Sequence, residues 1–307
     1  MAAALIALPE RGVLAVSGPQ RSKFLHNLLS NDVEGRASGQ GSLAALMDVK
    51  GHLLVLLRVL VCENEILLEM PRDRIAAVEG LLLHYKVGTP VRFPLRPVAI
   101  HALLGPSAAQ TLAAAGAAVP DASPQSHLAA EIAGQLVRIA RATDLPAGAF
   151  VIHVAPEGSE AVTEALCSAG ACVMARGDFD ALRIEEGRPL FGIEVTEDNL
   201  LHETGLLAEY HSASKGCYVG QEVVARLEAR GGNVNKLLRG LRLTAPAAAG
   251  AAINAAGQPV GRISSAAVSK QQGPIAMGYV HRSHAAPGTA VEVAGALATV
   301  VSLPMGS

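Results

Sequence analysis

The sequence pattern changes abruptly after the Gly231-Gly232 pair. From there onward, short aliphatic segments alternate with turns that contain Gly or Pro. The segments are Leu237–Leu243, Ala251–Ile253, Val260–Ser265, Ala276–Tyr279, Ala290–Val293 and Ala298–Leu303. Short strands joined by tight turns are typical of a small antiparallel barrel. The sequence therefore predicts a C-terminal barrel domain over residues 236–307.

The residues before the barrel predict two domains in which helices and strands mix. In residues 1–95, Val13–Ser17 is a predicted strand, and Ser17 is expected to cap the helix that follows it. The apolar runs Leu53–Val61 and Ile66–Met70 predict a hairpin, and a second helix is expected after it. Residues 96–235 show a similar order of strands and helices. We therefore expect an α+β fold, with two ferredoxin-like α+β units followed by the small antiparallel β-barrel.

Charge is unevenly distributed along the 307 residues, whose formal net charge is −2. From Lys236 onward there are six cations and one acid, Glu292, which gives +5, so the first 235 residues carry −7. This asymmetry predicts either an anionic partner near the junction or complementary domain faces. Aromatic residues make up 3% of the chain, which leaves few rings for base stacking and argues against a dedicated single-strand binder.

Four cysteines and the absence of an Asn-x-Ser/Thr sequon fit a reducing compartment. The longest apolar run, Leu53–Cys62, contains Arg58 and is shorter than the roughly 20 residues that a bilayer requires. We therefore expect a cytoplasmic protein without a membrane segment. Cys167 and Cys172 have no second ligand pair nearby, so we expect buried structural cysteines and no metal site.

Residues 215–222 read Lys-Gly-Cys-Tyr-Val-Gly-Gln-Glu and form the densest chemical motif of the chain. Gln221 begins a predicted helix, which places Cys217 just before a helix N-terminus and close to Lys215. The helix dipole and a neighbouring ammonium both stabilise a thiolate. Two interpretations stay open from the spacing: Cys217 and Lys215 form a reactive thiol centre, or the segment is a tight buried turn with an inert thiol.

This motif resembles the signature of the YgfZ family of folate-binding proteins, which are relatives of the glycine-cleavage T-protein, an aminomethyltransferase. The resemblance extends over nearly the whole chain. Further matches are Ser17-Gly-Pro, Phe24-Leu25, Asn31-Asp32-Val33, Leu182-Arg-Ile-Glu-Glu-Gly187, Glu203-Thr-Gly205, Ala225-Arg-Leu227, Gly261-Arg-Ile-Ser-Ser265 and Gly278-Tyr-Val280. The resemblance implies that the two α+β units and the barrel are arranged around a central folate pocket.

Aminomethyl transfer needs an acid beside the folate, and the T-protein supplies it from an Asp-Asp pair shortly after a Gly-Gly element. The corresponding stretch here starts at Gly51, and Val55 and Leu56 occupy the acid positions. Neither side chain can transfer a proton. Asp48 is the only nearby carboxylate, and it is displaced along the chain. Glycine-cleavage chemistry is therefore not expected, and the sequence leaves open whether the protein is another kind of enzyme.

Folate binding is expected at Glu185. A pterin ring presents N–H and NH₂ donors side by side, which one carboxylate accepts in bidentate fashion. In the T-protein this glutamate stands in an Arg-Leu-Glu-Ala-Gly context, which Glu185 matches in Arg183-Ile-Glu-Glu-Gly187. The alternative is a solvated acid at a helix end. Candidates for the cations that hold the anionic folate tail are Arg226, Arg230, Arg239 and Arg262.

The resemblance implies a tetrahydrofolate-binding accessory protein that supports iron–sulfur cluster assembly or repair and, through it, tRNA modification. Its expected partners are a reduced folate and iron–sulfur client or assembly proteins, without direct nucleic-acid contact, and the chain is expected to be a monomer. Two alternatives stay open. One is a folate-dependent one-carbon transferase that uses Cys217 or Asp48; the other is an RNA-binding module formed by the basic barrel, where Tyr279 is the only aromatic residue.

Overall fold

Strands form most of the regular structure in the computed structural model, which describes residues 2–146 and 148–306. In chain order the strands are β1 (Ala4–Ala7), β2 (Arg11–Ser17), β3 (Gly41–Met47), β4 (Leu53–Val61), β5 (Glu65–Pro71), β6 (Leu95–Arg96), β7 (Ala99–Leu104), β8 (His127–Ile132), β9 (Gln135–Arg141), β10 (Phe150–Val154), β11 (Cys172–Val173), β12 (Lys236–Leu243), β13 (Ala252–Ala255), β14 (Gln258–Ser269), β15 (Gly273–His281), β16 (Ala290–Val293) and β17 (Ala296–Val301). The helices are α1 (Arg21–His26), α2 (Ile75–Tyr85), α3 (Ala108–Ala114), α4 (Ser159–Ser168), α5 (Arg176–Glu185), α6 (Leu207–Tyr210) and α7 (Gln221–Ala229).

The chain divides into two compact units. The first covers Met1–Val49, Leu54–Met174 and Ala208–Gln221, and the second covers Lys50–Leu53, Ala175–Leu207 and Glu222–Ser307. The domain boundaries that we expect from the sequence, after residues 95 and 235, stay a prediction.

A five-stranded sheet in the first unit has the strand order β3-β4-β5-β2-β6. β4 and β5 pair antiparallel with Val61 opposite Ile66, which is the predicted hairpin. Helices α1 and α2 pack against this sheet, and Leu25 and Val78 lie in the shared apolar core. The sheet thereby fixes the position of α1, whose C-terminal end belongs to the candidate site described below.

The predicted helix cap at Ser17 is wrong. Ser17 belongs to β2, and its backbone exchanges two hydrogen bonds with Arg92, each of 3.0 Å. The next residue, Gly18, has a φ of +112°, and a Cβ added there would lie 2.1 Å from the carbonyl oxygen of Pro90. The chain can turn from the strand toward α1 only because this residue is a glycine. Helix α1 therefore begins later, at Arg21.

A six-stranded sheet, also in the first unit, has the strand order β11-β1-β7-β10-β9-β8. β1 pairs antiparallel with β7 and parallel with β11, so the first strand of the chain joins a sheet made mostly of later residues. Helices α3 and α4 contribute Leu112 and Leu166 to the core beneath this sheet, where they join Leu103 and Ile152.

A network of buried charges connects the two sheets of the first unit. Glu69 on β5 is fully buried and lies 2.6 Å from the Arg11 guanidinium, and the Nε2–H of His153 on β10 donates to it over 2.8 Å. The fully buried Arg58 pairs with both Glu69 and Asp144. Burial alone raises the pKa of Glu69, but Arg11, Arg58 and His153 together hold it well below its usual range.

The second unit contains a closed barrel with the strand order β12-β15-β14-β13-β16-β17. All neighbouring pairs in this order, including β12 with β17, are antiparallel. Helix α5 packs against the barrel through Ile184, which meets Leu238, Ile275 and Met277 in one apolar cluster. Each of the six predicted segments forms a strand, so the α+β class and the antiparallel barrel are confirmed. Among the described residues, no helix is long and apolar enough to cross a membrane.

Candidate functional site

Residues 215–220 form the loop between α6 and α7 in the first unit. Gly220, just before α7, has a φ of +83°. The backbone N–H of Tyr218 donates to the side-chain oxygen of Gln221, the first residue of α7, over 3.0 Å. The helix thus begins where the sequence predicts. Cys217 is exposed on this loop, so the expectation that the turn is buried is wrong, while the reactivity of the thiol stays a prediction.

Lys215 is anchored at the end of α1. Its Nζ donates to the backbone carbonyls of His26 and Leu29, the second over 2.6 Å. The last carbonyls of a helix have no partner within the helix, and an ammonium satisfies them with charge-assisted bonds. Burial lowers the pKa of Lys215 to about 8, while the negative charges of Asp32 and Cys217 act in the opposite direction. The Lys215 ammonium is thus in electrostatic reach of Cys217, and its catalytic role stays a prediction.

Tyr218 holds the other side of the loop. Its side chain is buried, and the Nζ of Lys215 lies 4.7 Å from the centroid of its ring, a cation–π contact. The ring of His211 lies 5.8 Å away. Tyr218 has no role in the sequence-based prediction, because nothing in the spacing shows that its ring meets Lys215. Cys217 thus lies in the chain between Lys215 and Tyr218, whose side chains contact each other.

A cavity of about 360 Å³ lies beside this loop in the first unit. Phe24 and Asn27 of α1 form one wall, and Tyr85 of α2 and Val219 of the loop contribute to the others. Lys23 adds a positive charge at its edge. The cavity reaches a residue that is two positions from Cys217, and no feature of the sequence predicts it, because its walls come from three separate segments.

Glu185, the last residue of α5, is half-buried in the second unit. Its backbone carbonyl accepts a hydrogen bond from the N–H of Met305 over 2.7 Å. Within residues 2–146 and 148–306, no hydrogen bond or ion pair reaches its carboxylate. A carboxylate at the C-terminal end of a helix meets the negative end of the dipole. The helix dipole therefore does not stabilise the Glu185 carboxylate, which is available to accept hydrogen bonds from a ligand.

By contrast, the guanidinium of the neighbouring Arg183 is paired with acidic side chains. Its side chain is 2% exposed, and its Nη1 lies 3.0 Å from both carboxylate oxygens of Glu194. Its Nε donates to Asp180 over 2.7 Å, and Ser265 of β14 donates to Glu194. Arg183 therefore joins α5 to the barrel. Glu185, at the end of the same helix, is the acid whose carboxylate has no partner among the described residues.

Arg226 lies on α7 and Arg230 follows it, and both side chains are exposed. Arg239 already has hydrogen-bond partners, because its guanidinium donates to the backbone carbonyls of Ala285 and Leu238. Glu185, Arg226 and Arg230 belong to the second unit, whereas Lys215 and Cys217 belong to the first. The assignment of the arginines to a folate tail stays a prediction.

The expectation of buried Cys167 and Cys172 is wrong. Cys172 is exposed and Cys167 is half-buried, whereas Cys62 is buried. Cys172 lies on β11, a two-residue strand at the edge of the six-stranded sheet, where both residues are exposed. Burial raises the pKa of Cys62. Among the described residues, no three His, Cys, Asp or Glu side chains are grouped so that they could hold a metal ion.

Two family profiles match the chain. The GCVT N-terminal domain covers residues 2–209, and the glycine cleavage T-protein C-terminal barrel domain covers residues 236–305. The chain belongs to the glycine cleavage T-protein family. The second match coincides with the barrel of the structure, which extends from β12 to β17.

Named relatives of this T-protein-family chain have different functional descriptions. A chloroplastic putative transferase of Arabidopsis thaliana is 26% identical over 303 residues, which cover 97% of this chain and 70% of the relative. The tRNA-modifying protein YgfZ of Yersinia enterocolitica is 27% identical over 252 residues, which cover 79% of this chain and 73% of the relative. The resemblance to the YgfZ and T-protein families is thereby confirmed.

A solved structure shows the same fold. The glycine cleavage system aminomethyltransferase T from Bartonella henselae superposes with a TM-score of 0.88 and is 24% identical, covering 99% of this chain and 86% of the other. In this T-protein-family chain, however, Val55 and Leu56 are buried in β4 with exposures of 0% and 6%. These are the positions at which the resemblance places the acid pair. Asp48 follows β3 and is half-buried; the absence of the catalytic acid pair rests on the resemblance and stays a prediction.

Proposed function

We propose that the protein is a cytoplasmic, tetrahydrofolate-binding accessory protein that supports iron–sulfur cluster assembly or repair and, through it, tRNA modification. Membership of the T-protein family supports the folate ligand, and the similarity to a relative named as a tRNA-modifying protein supports the cellular role. One observation carries the proposal: the thiol of Cys217 is exposed between Lys215 and Tyr218, while apolar Val55 and Leu56 occupy the acid positions.

The residues at the end of α5 fit a reduced folate. Glu185 offers a half-buried carboxylate without a partner among the described residues, which suits the paired N–H donors of a pterin. The exposed guanidinium groups of Arg226 and Arg230 suit the carboxylates of the folate tail. When bound, a reduced folate supplies a carrier for one-carbon units.

In this proposal Cys217 is the reactive group and Lys215 tunes it. An ammonium near a thiol favours the thiolate, which is the nucleophilic form. The partners are a reduced folate and iron–sulfur client or assembly proteins, and the protein acts as a monomer without direct contact to nucleic acid or membrane. An exposed thiol suits a protein partner, because the partner must reach the sulfur directly.

The folate part is tested by anaerobic calorimetric titration with tetrahydrofolate. The Glu185→Gln variant should bind about 10- to 150-fold more weakly, because a hydrogen bond to a charged group contributes about 1.5–3 kcal/mol. Glu186→Gln is the matched control, since Glu186 is the adjacent half-buried acid, and it should bind like the wild type. Absence of binding to the wild type would overturn the folate assignment. Unchanged affinity of Glu185→Gln would show that Glu185 is not part of the folate pocket.

The thiol part is tested in cells that lack the protein. Cys217→Ser should keep its fold and its folate affinity but fail to restore the activity of iron–sulfur enzymes, whereas Cys172→Ser, which removes the other exposed thiol, should restore it. Full restoration of iron–sulfur enzyme activity by Cys217→Ser would show that the thiol has only a structural role.

A folate-dependent one-carbon transferase is the alternative function. The similarity to a relative named as a putative transferase favours it, and Asp48 is a carboxylate just before the Gly51 element that precedes the acid positions. Incubation with methylene-tetrahydrofolate and an amine acceptor separates the two proposals. We expect no turnover, and turnover that Asp48→Asn abolishes would establish the transferase instead.

A further inference from the structure

A second cavity of the first unit lies between the end of β2 and the segment that follows α2. Its volume is about 430 Å³, and it shares no lining residue with the cavity beside residues 215–220. Its walls come from residues 17–19, 86 and 90–92. Pockets for small molecules typically measure about 300–1,000 Å³, so this cavity is large enough to hold one.

The backbone holds the two walls of this cavity together. Ser17 and Arg92 exchange two backbone hydrogen bonds of 3.0 Å each, and residues that pair directly across strands present their side chains on the same face. Gly18 packs against Pro90, since an added Cβ would lie 2.1 Å from the carbonyl oxygen of that proline. The shape of the cavity is therefore fixed before any ligand enters.

Three polar side chains in the wall of the cavity have no polar partner in the protein. Across residues 2–146 and 148–306, no hydrogen bond or ion pair reaches the Ser17 hydroxyl, the Lys86 ammonium or the Arg92 guanidinium. Lys86 is half-buried, and its Nζ lies 5.9 Å from the ring centroid of Phe93. None of the residues that line the cavity is an acid. Two positive charges and a hydroxyl thus surround one space.

The charged groups next to the cavity already have partners. Glu65 lies opposite Ser17 in the pairing of β5 with β2, but its carboxylate pairs with the guanidinium of Arg96. The guanidinium of Arg21 donates to two backbone carbonyls. The nearby acid therefore does not neutralise the two cations of the cavity, which leaves the site positively charged.

We propose that this cavity binds a phosphate monoester that carries an apolar organic group. Such a phosphate has a charge near −2 and three acceptor oxygens, which match two cations and a hydroxyl better than a single carboxylate does. The fork of Arg92 suits two phosphate oxygens, and Lys86 acts as a point charge. Pro19 and Pro90 give the apolar group a hydrophobic wall.

The test is a titration of the ¹⁵N-labelled wild type with phenyl phosphate, followed at the backbone amide resonances of Gly18 and Val91. Both resonances should shift to saturation. Inorganic phosphate and benzyl alcohol should each bind at least 10-fold more weakly, because each lacks one half of the ligand. Absence of a saturable shift with phenyl phosphate would overturn the inference. Equal affinity for inorganic phosphate would show that the ligand is not an organic ester.

Two variants test the cations. Lys86→Met and Arg92→Met should each weaken the binding of phenyl phosphate by about 5- to 10-fold, because each removes a charged donor. Arg96→Met is the matched control, since Arg96 is a neighbouring arginine that already pairs with an acid, and it should bind like the wild type. Unchanged affinity of both folded variants would overturn the inference. The proposed function does not enter these measurements, so each of the two can fail without the other.

Discussion

The Nζ of Lys215 lies 4.7 Å from the ring centroid of Tyr218, so the two residues make contact across Cys217. Lys215 also donates to carbonyls at the end of α1, and Tyr218 is buried. The loop is therefore fixed on both sides of an exposed thiol. A cation in electrostatic reach of an exposed sulfur is the arrangement that a reactive cysteine needs.

The first prediction concerns the rate of alkylation at neutral pH. Cys217 should react faster with iodoacetamide than Cys172, although both are exposed, because the Lys215 ammonium is in electrostatic reach of Cys217. Lys215→Met should bring the rate of Cys217 down toward that of Cys172. Equal rates for the two thiols in the folded wild type would contradict the activation of Cys217.

The barrel was predictable from sequence because its strands are local. Ala290–Val293 forms β16 with the predicted bounds, and the other five segments differ only at their ends. Val260–Ser265 grows into the longer β14, because the strand continues through a bulge and keeps pairing with β15. Strand identity follows from the local pattern, whereas strand length depends on the partner across the sheet.

The second prediction concerns the stability that Lys215 provides. Lys215→Ala should lower the free energy of unfolding by about 1.5–3 kcal/mol, because two carbonyls at the end of α1 lose a charged donor. Lys270→Ala is the control: Lys270 is 84% exposed and pairs with Asp178 over 2.8 Å. A surface pair of this kind contributes about 0–1 kcal/mol. Urea denaturation that gives equal losses for both variants would show that the α1 contacts do not stabilise the fold.

The site was only partly predictable. The motif at residues 215–222 singled out Lys215 and Cys217, because their spacing is local. The acceptors of Lys215, on His26 and Leu29, lie 189 and 186 residues away in the chain. No pattern within one segment reports such a contact, so the anchoring of the loop and the exposure of the thiol could come only from the structure.

The third prediction concerns Gly18. Gly18→Ala should lower the free energy of unfolding by about 2–5 kcal/mol, because it combines an unfavourable φ with overpacking. Its new Cβ would lie 2.1 Å from the Pro90 carbonyl oxygen. Gly80 provides the opposite case: it lies within α2 with nothing within 4 Å of an added Cβ. Gly80→Ala should raise stability by about 0.5–1 kcal/mol. Thermal melts in which both variants behave alike would contradict the close approach at Gly18.

The fourth prediction concerns Glu69 in the buried charge network. Glu69→Gln should lower the free energy of unfolding by about 3–5 kcal/mol, because it leaves the fully buried Arg58 without one of its two acids. Glu65→Gln is the control, since Glu65 pairs with Arg96 near the surface, where the side chains are 25% and 45% exposed. It should cost about 0–1 kcal/mol.

The same network predicts the direction of the pH dependence. Burial raises the pKa of Glu69, but the pairing with Arg11, Arg58 and His153 outweighs it and lowers the folded-state value below the unfolded value of about 4.3. The stabilisation is therefore complete above the unfolded pKa and is lost as the pH falls toward the folded pKa. The stability difference between wild type and Glu69→Gln should thus shrink as denaturation is measured at increasingly acidic pH. A difference that stays constant through that range would show that the carboxylate charge of Glu69 does not hold the two sheets together.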